Sequence, residues 1–209
     1  MRSPERAREL GEVFTNEPEV NAMLDLLQDV NYASRYLEPG CGSGNFLVEI
    51  FRRKFQLMLA LPEVKTSLKV KSLNEFQLKL LMVLGSIYGI DISEINISEA
   101  RERLLDLVIE HYKSAAKSVP SEYFLTNIKF VLEKNIILGD MLNAPDEIEI
   151  FEYAELPGQK LKVRVFQYSD LLYPEDEVFE DLPLLFGHVP QAIREYPAIP
   201  FEKVGDLEI

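Results

Sequence analysis

The chain has 209 residues, which suits one α/β domain with little length left for a second. Hydrophobic residues make up 47% and charged residues 27%, a balance that excludes a disordered chain, and no apolar run approaches the roughly 18 residues of a membrane span. The net charge of −13 disfavours unaided DNA binding, because neutralisation of phosphates supplies most of the non-specific affinity for DNA. One cysteine and a charged N-terminal stretch without an apolar core predict a cytoplasmic protein.

Hydrophobic periodicity predicts alternating helices and strands over the first two thirds of the chain. The predicted elements are a helix at 15–29, a strand at 33–38, a helix at 45–61, a helical segment at 72–84, a strand at 86–91, a long helix from Ser93 and a strand at 135–140. Asn16 and Glu19 have capping-box spacing at the first helix, and Pro62 is expected to end the second. This order is typical of a parallel α/β sheet.

The last third of the chain has a different pattern. Two β-prone runs at 147–156 and 160–169 flank Pro157 and Gly158, which predicts a hairpin. The prolines that follow predict a tail that lies on a surface rather than a packed element; they are Pro174, Pro183, Pro190, Pro197 and Pro200.

Basic residues cluster in the region that follows the first predicted strand. They are Arg52, Arg53, Lys54, Lys65, Lys69, Lys71 and Lys79. A solvated helix face explains such a cluster, and a local basic patch is the alternative.

A glycine-rich turn stands between the first predicted strand and the helix after it. Residues 37–47 read LEPGCGSGNFL, with glycine at Gly40, Gly42 and Gly44. Glycine allows a sharp turn and the close approach of a ligand to the backbone. The spacing is not that of a dinucleotide fingerprint, and the Lys-Ser/Thr pair of a phosphate-binding loop is absent. The turn by itself is also compatible with an ordinary strand-to-helix connection.

Acidic residues end the next two predicted strands. Asp91 ends the strand at 86–91, where a carboxylate can accept hydrogen bonds from both hydroxyls of a ribose, and Asp140 ends the strand at 135–140. Together with the glycine turn, these strand ends predict a site for a cofactor that contains a nucleoside.

These motifs resemble those of the amino-methylating, N6-adenine DNA methyltransferases, in particular type I modification subunits and fused restriction–modification enzymes. The run 37–47 looks like their first motif, IYGIDIS (87–93) like the second and NIILGDML (135–142) like the third. GEVFT (11–15) resembles the motif that closes over the methionine end of S-adenosylmethionine. The resemblance covers about residues 9–143.

The resemblance implies an α/β, Rossmann-like S-adenosylmethionine-dependent methyltransferase fold, with a mostly parallel sheet and helices on both faces. To this the sequence pattern beyond residue 143 adds a C-terminal β-hairpin and a proline-rich tail. Taken together, these expectations divide the chain into a methyltransferase-like domain at 1–173 and a tail at 174–209. The domain comprises an N-terminal helical region at 1–30, a cofactor-binding core at 33–143 and the hairpin at 147–169.

The resemblance also implies the residues that bind S-adenosylmethionine. They are Phe14 and Thr15 near the methionine, Glu38, Gly40 and Gly42 along the amino acid and ribose, Asp91 at the ribose hydroxyls, Asp140 at the adenine, and Ile92 and Met141 beside these two. Simpler alternatives are a core position for Phe14, a solvated strand end for Glu38 and a turn-forming role for Asp140.

The remaining reactive side chains carry no predicted chemistry. Cys41 is expected to be a small buried side chain, because the Pro-Cys loop of cytosine-C5 chemistry is absent. His111 and His188 are too few and too far apart for a metal site, so no metal is expected.

The catalytic motif of N6-adenine methylation, Asn/Asp-Pro-Pro-Tyr/Phe, is absent from the sequence. Residues 143–158, NAPDEIEIFEYAELPG, stand where it would follow, and no segment matches a target-recognition domain. One hypothesis is a component of a DNA-modification system, with catalytic loop and DNA recognition supplied by a partner subunit. A second is a non-catalytic S-adenosylmethionine-binding or regulatory module. A third is a methyltransferase for another substrate that uses Tyr153, Glu155 or Tyr168.

Overall fold

The computed structural model describes residues 15–28, 30–172 and 190–208. Its helices are α1 (Glu17–Leu24), α2 (Asn45–Leu59), α3 (Pro62–Val70), α4 (Asn74–Leu84), α5 (Glu94–Ala116), α6 (Glu122–Asn135) and α7 (Tyr168–Leu172). Its strands are β1 (Tyr36–Pro39), β2 (Ile87–Asp91), β3 (Ile136–Leu138), β4 (Glu149–Leu156), β5 (Lys160–Gln167), β6 (Arg194–Glu195) and β7 (Ile199–Pro200). In the described part of the chain, no helix combines the length and the apolar character needed to cross a bilayer.

Strands β1, β2 and β3 form a parallel sheet in that spatial order. Pro39 of β1 pairs with Ile90 of β2, and Leu138 of β3 pairs with Asp91. Parallel strands end at the same edge of a sheet, so the three predicted strand ends lie side by side. The protein is therefore of the mixed α/β class, as predicted.

The two faces of this sheet are covered in different ways. Gly89 faces α2 so closely that a Cβ there would lie 2.7 Å from Leu47 Cδ1. Tyr88 and Ile90 point to the opposite face. There they pack with residues from the last third of the chain, namely Ile148, Ile150 and Tyr168. Around these two strand residues, β4 and α7 take the place of the helix expected on the second face.

Strands β4 and β5 form the predicted hairpin, with the turn at Pro157 and Gly158. The short strands β6 and β7 pair with β5 and complete a separate antiparallel sheet. The 3-10 turn Phe201–Asp206 buries Phe201 and Val204 completely in the main core. The prediction of an unpacked tail is therefore wrong for this stretch, because two apolar side chains outweigh the proline spacing. Pro174 and Pro183 lie outside the described residues.

Three helices are absent from the sequence prediction, namely α3, α6 and α7, and α7 begins at Tyr168, within the run 160–169 that was predicted as a strand. Pro62 does not simply end a helix: α2 ends at Leu59, and Pro62 is the first residue of α3, a position where its missing N–H costs nothing. Helix α6 (Glu122–Asn135) was not predicted; Ser121 caps it, accepting a hydrogen bond from Phe124 N–H at 3.2 Å. The capping box of α1 and the Ser93 cap of α5 form as predicted.

Two residues of the predicted basic face are buried. The Lys79 side chain is only 8% exposed and pairs with Glu155 at 2.7 Å and Glu75 at 3.6 Å. Lys54 is completely buried and donates hydrogen bonds to the Ser34 carbonyl and, at 2.6 Å, to Ser86 Oγ. Neither ammonium group can contact a DNA phosphate, so the basic cluster does not form one continuous patch.

Lys54 gives the first prediction, which concerns stability. Burial lowers the pKa of its amine from 10.5 to about 7. Between these two values the unfolded chain binds a proton that the folded chain does not, so the free energy of unfolding should rise with pH, by at most about 1.4 kcal/mol per pH unit. Below pH 7 both states are protonated and the slope should vanish.

Urea denaturation at pH 7, 8 and 9 measures this slope in the wild type and in Lys54→Met, which keeps a long apolar side chain but has no titrating group. We expect the slope to be lost in the variant. Equal slopes in the two proteins would contradict the assignment of Lys54 as the titrating group.

Candidate functional site

The turn between β1 and α2 depends on glycine at three positions. Gly40, Gly42 and Gly44 have φ of +71°, +53° and +84°, a region that costs other residues roughly 1–2 kcal/mol. The N–H groups of Gly40 and Cys41 both donate to the Ile90 carbonyl, at 2.8 and 3.0 Å. The turn is thereby anchored to the end of the neighbouring strand.

Space beside the first two glycines is open. A Cβ built on Gly40 or Gly42 would meet no atom of the described residues within 4 Å, whereas a Cβ on Gly44 would lie 3.1 Å from Ala100 Cβ on α5. Gly44 is therefore required by helix packing. Gly40 and Gly42 instead leave a surface of bare backbone that no described side chain fills.

Asp91 connects the turn to the second strand end. Its Oδ2 accepts a hydrogen bond from Gly42 N–H at 2.8 Å, and its Oδ1 accepts from Ser93 N–H at 2.8 Å and from the Asn96 side-chain amide at 3.3 Å. A carboxylate offers about four lone-pair sites. Asp91 thus orders the backbone around it and retains limited capacity for a ligand hydroxyl.

Glu38 and Cys41 stand at the start of the turn. Burial raises the pKa of the Glu38 carboxyl, and no group in the described ranges forms a hydrogen bond or an ion pair with it. Cys41 is buried as predicted, and burial together with the charges of Asp91 and Glu38 raises the pKa of its thiol to about 12. Such a thiol is a poor nucleophile.

The third strand end is held by its own loop. Gly139 N–H donates to the Asp91 carbonyl at 3.0 Å, which places Asp140 beside the other two ends. The Asp140 carboxylate accepts from the Asn143 side chain at 2.7 Å and from the Asn143 and Leu142 N–H groups, and these bonds hold the pKa of its carboxyl below the ordinary value. Asp140 therefore forms a turn, the simpler of its two predicted roles.

Apolar side chains are exposed at this same edge. Ile92 is 62% exposed, Leu138 50% and Leu142 91%, although large apolar residues are usually buried. Met141, by contrast, packs partly against the cluster of Tyr88 and its neighbours. The edge between the second and third strands thus has exposed apolar side chains next to acidic ones.

Thr15 is connected to the turn through side chains that the sequence did not single out. Asn45 Nδ2 donates to the Thr15 carbonyl at 2.9 Å, and Asn45 Oδ1 accepts from Arg103 Nη1 at 2.9 Å. Arg103 Nη1 also donates to the Ser43 carbonyl at 2.6 Å. Only the position of Asn45 directly after the last glycine could have indicated its role. Phe14 lies outside the described residues.

The strand β1 is the edge of the parallel sheet among the described residues. Tyr36 N–H donates to the Ser86 carbonyl at 2.9 Å, so by alternation the N–H and C=O of Leu37 point away from β2. An apolar groove of about 510 Å³ runs along this free edge, between β1 and the hairpin. The glycine turn therefore has a neighbouring strand on the side of β2 and, among the described residues, no strand on its other side.

The residues of the alternative active site do not converge on this crevice. Tyr153 is buried against Gly85, at the opposite end of β2 from Asp91, and Glu155 pairs with Lys79. Tyr168 packs in the apolar cluster on the second face of the sheet. These contacts are structural, so the structure gives no support to the third hypothesis.

The histidine in the described part of the chain, His111, likewise does not contribute to the crevice. His111 packs edge-on against Phe51 and Phe55, with ring centroids 5.6 and 5.1 Å away. His188 lies outside the described residues.

Comparison with known proteins adds no relatives to this picture. No family model matches the chain, and no curated protein or solved structure gives a significant match.

Proposed function

We propose that this chain binds S-adenosylmethionine at the edge where β1, β2 and β3 end, as the cofactor-binding part of a Rossmann-like, amino-methylating DNA methyltransferase. One observation carries the proposal. The Gly42 N–H is bonded to the strand-end carboxylate of Asp91, while no described residue fills the space beside Gly40 and Gly42. A ligand with a ribose can lie against such bare backbone and reach the carboxylate.

The charge of the crevice supports a cationic ligand. Glu38 is half-buried without a described partner, and its burial raises the pKa of its carboxyl. An ammonium group next to it would offset the cost of that burial. S-adenosylmethionine carries an ammonium and a sulfonium, whereas the phosphates of a dinucleotide would be repelled by Glu38 and Asp91.

The exposed apolar residues support an adenine ring at the other end of the crevice. Ile92, Leu138 and Leu142 offer flat contact area, and a purine would remove them from water. Asp140 stands beside them, with its carboxylate directed to its own loop. In this proposal it shapes the loop under the adenine rather than bonding to the ring.

The position of β1 at the edge of the described sheet supports the hypothesis that this chain depends on a partner subunit. Ligand crevices in open α/β sheets usually lie between strands on both sides, at the point where the strand order reverses. In the described part of the chain β1 has one neighbouring strand, and the sequence lacks the motif that holds the target amine. In this proposal the partner brings the catalytic loop and the DNA-binding surface, because this chain is acidic and two of its lysines are buried.

Calorimetry tests the proposal. We expect saturable binding of S-adenosylmethionine and of S-adenosylhomocysteine, and no binding of NADH or ATP at the same concentrations. The purified chain alone should transfer no labelled methyl group to DNA that contains unmethylated adenine.

The results of the binding and methyl-transfer experiments distinguish the hypotheses about this chain. Absence of binding to both methionine-bearing ligands would contradict the proposal. Binding together with methyl transfer by the chain alone would contradict the need for a partner. Binding without transfer in the presence of a purified subunit that carries the Asn-Pro-Pro-Tyr motif would favour the non-catalytic module.

A further inference from the structure

We infer that Asn45 and Arg103 are positioning residues, which fasten the backbone at Thr15 to the glycine turn and so order the segment expected near the methionine of the donor. The inference rests on the proposed function. It adds two side chains that are not among the predicted binding residues: Asn45, which lies within the first motif, and Arg103, which lies in none of the three.

Arg103 reaches the turn from α5. Its Nη1 donates to the Ser43 carbonyl at 2.6 Å and to Asn45 Oδ1 at 2.9 Å, and lies 3.3 Å from Ser43 Oγ. The charge of the guanidinium strengthens these bonds. Arg103 thus connects the helix after β2 to the end of the turn after β1.

The Asn45 side chain bonds both Arg103 and the Thr15 backbone. The two ends of its amide differ chemically: Oδ1 can only accept, and Nδ2 can only donate. Since Arg103 is a donor, it must face Oδ1, and this orientation directs Nδ2 at the Thr15 carbonyl, 2.9 Å away. Arg103 therefore determines which way the Asn45 amide points.

The hydrogen bond from Asn45 to Thr15 matters for ligand binding because of where Thr15 lies. Thr15 immediately precedes the capping residue Asn16 of α1, and Asn45 is the first residue of α2. The bond joins the starts of two helices directly at the turn. A segment that is already ordered loses less conformational entropy when a ligand binds against it, so the link should raise affinity for ligands that reach this segment.

The test uses Asn45→Asp. Aspartate keeps an acceptor for Arg103 but turns a second acceptor towards the Thr15 carbonyl, and an acidic residue in the first turn of a helix does not weaken folding. We expect affinity for S-adenosylmethionine to fall about five- to tenfold, the value of one hydrogen bond. Affinity for adenosine, which lacks the methionine, should stay within about twofold.

Asn45→Leu controls for the added charge, because it removes both bonds and stays neutral. We expect the same selective loss. Wild-type affinity in Asn45→Leu, or an equal loss for adenosine in both variants, would overturn the inference. Hydrogen exchange of the peptide that contains Thr15 should be faster in both variants without ligand, and unchanged exchange would also overturn it. Failure of the wild type to bind either ligand would contradict the proposed function instead.

Discussion

Gly42→Ala is expected to lower the affinity for S-adenosylmethionine by at least about 30-fold, roughly 2 kcal/mol, while the protein stays folded. The added methyl group would enter space in which no atom of the described residues lies within 4 Å, so it disturbs no packing that the structure describes. It would, however, occupy the surface on which the ligand is proposed to lie. The positive φ of +53° adds a stability cost of roughly 1–2 kcal/mol.

Gly158→Ala is the matched control for this prediction. Gly158 also has a positive φ, +78°, and a Cβ added there would also enter open space, but it lies in the hairpin turn away from the crevice. We expect a similar loss of stability in thermal unfolding and no change in the calorimetric affinity. Equal affinity in the two variants would show that the space beside Gly42 does not hold the ligand.

Asp91→Ala is expected to lower both stability and affinity for S-adenosylmethionine, and to lower the affinity more than Gly42→Ala does. The Gly42 and Ser93 N–H groups would both lose their acceptor, at a cost of roughly 1–3 kcal/mol in stability. The turn would also lose its connection to β2, so we expect affinity for S-adenosylmethionine to fall about 100-fold.

Asp91→Asn separates the ribose contact from the structural role. It retains one oxygen acceptor for the backbone and removes the charge. If Asp91 bonds a ribose hydroxyl, the wild type should bind adenosine more tightly than 2′-deoxyadenosine or 3′-deoxyadenosine, and the variant should lose part of that preference. An unchanged preference in a folded Asp91→Asn protein would assign Asp91 to the backbone alone.

The local features of the fold were largely predictable. The capping box at Asn16 and the cap at Ser93 depend on residues three positions apart, and the hairpin depends on Pro157 and Gly158 between β-prone runs. The glycine turn was predictable for the same reason, since positive φ is a property of single residues. Such signals act over a few residues, and distant contacts seldom override them.

Features that depend on contacts distant in sequence were missed. The burial of Lys54 and Lys79 follows from Ser86 and Glu155, which are 32 and 76 residues away. Phe201 and Val204 enter a core built by earlier helices, so their proline-rich surroundings gave a misleading signal. The link from Arg103 through Asn45 to Thr15 spans three elements that no local pattern connects.

By itself, the sequence determined the α/β class, the order of the strand ends and the three glycines, because these depend on periodicity and on the backbone freedom of single residues. Tertiary structure alone decided how the candidate residues are used. It bonded Asp91 to the turn, directed Asp140 towards its own loop, and placed β1 at the edge of the sheet that the described residues form. The physical reason is that a carboxylate or a strand edge takes whichever partner the packing brings within hydrogen-bonding distance, and packing is a property of the whole chain.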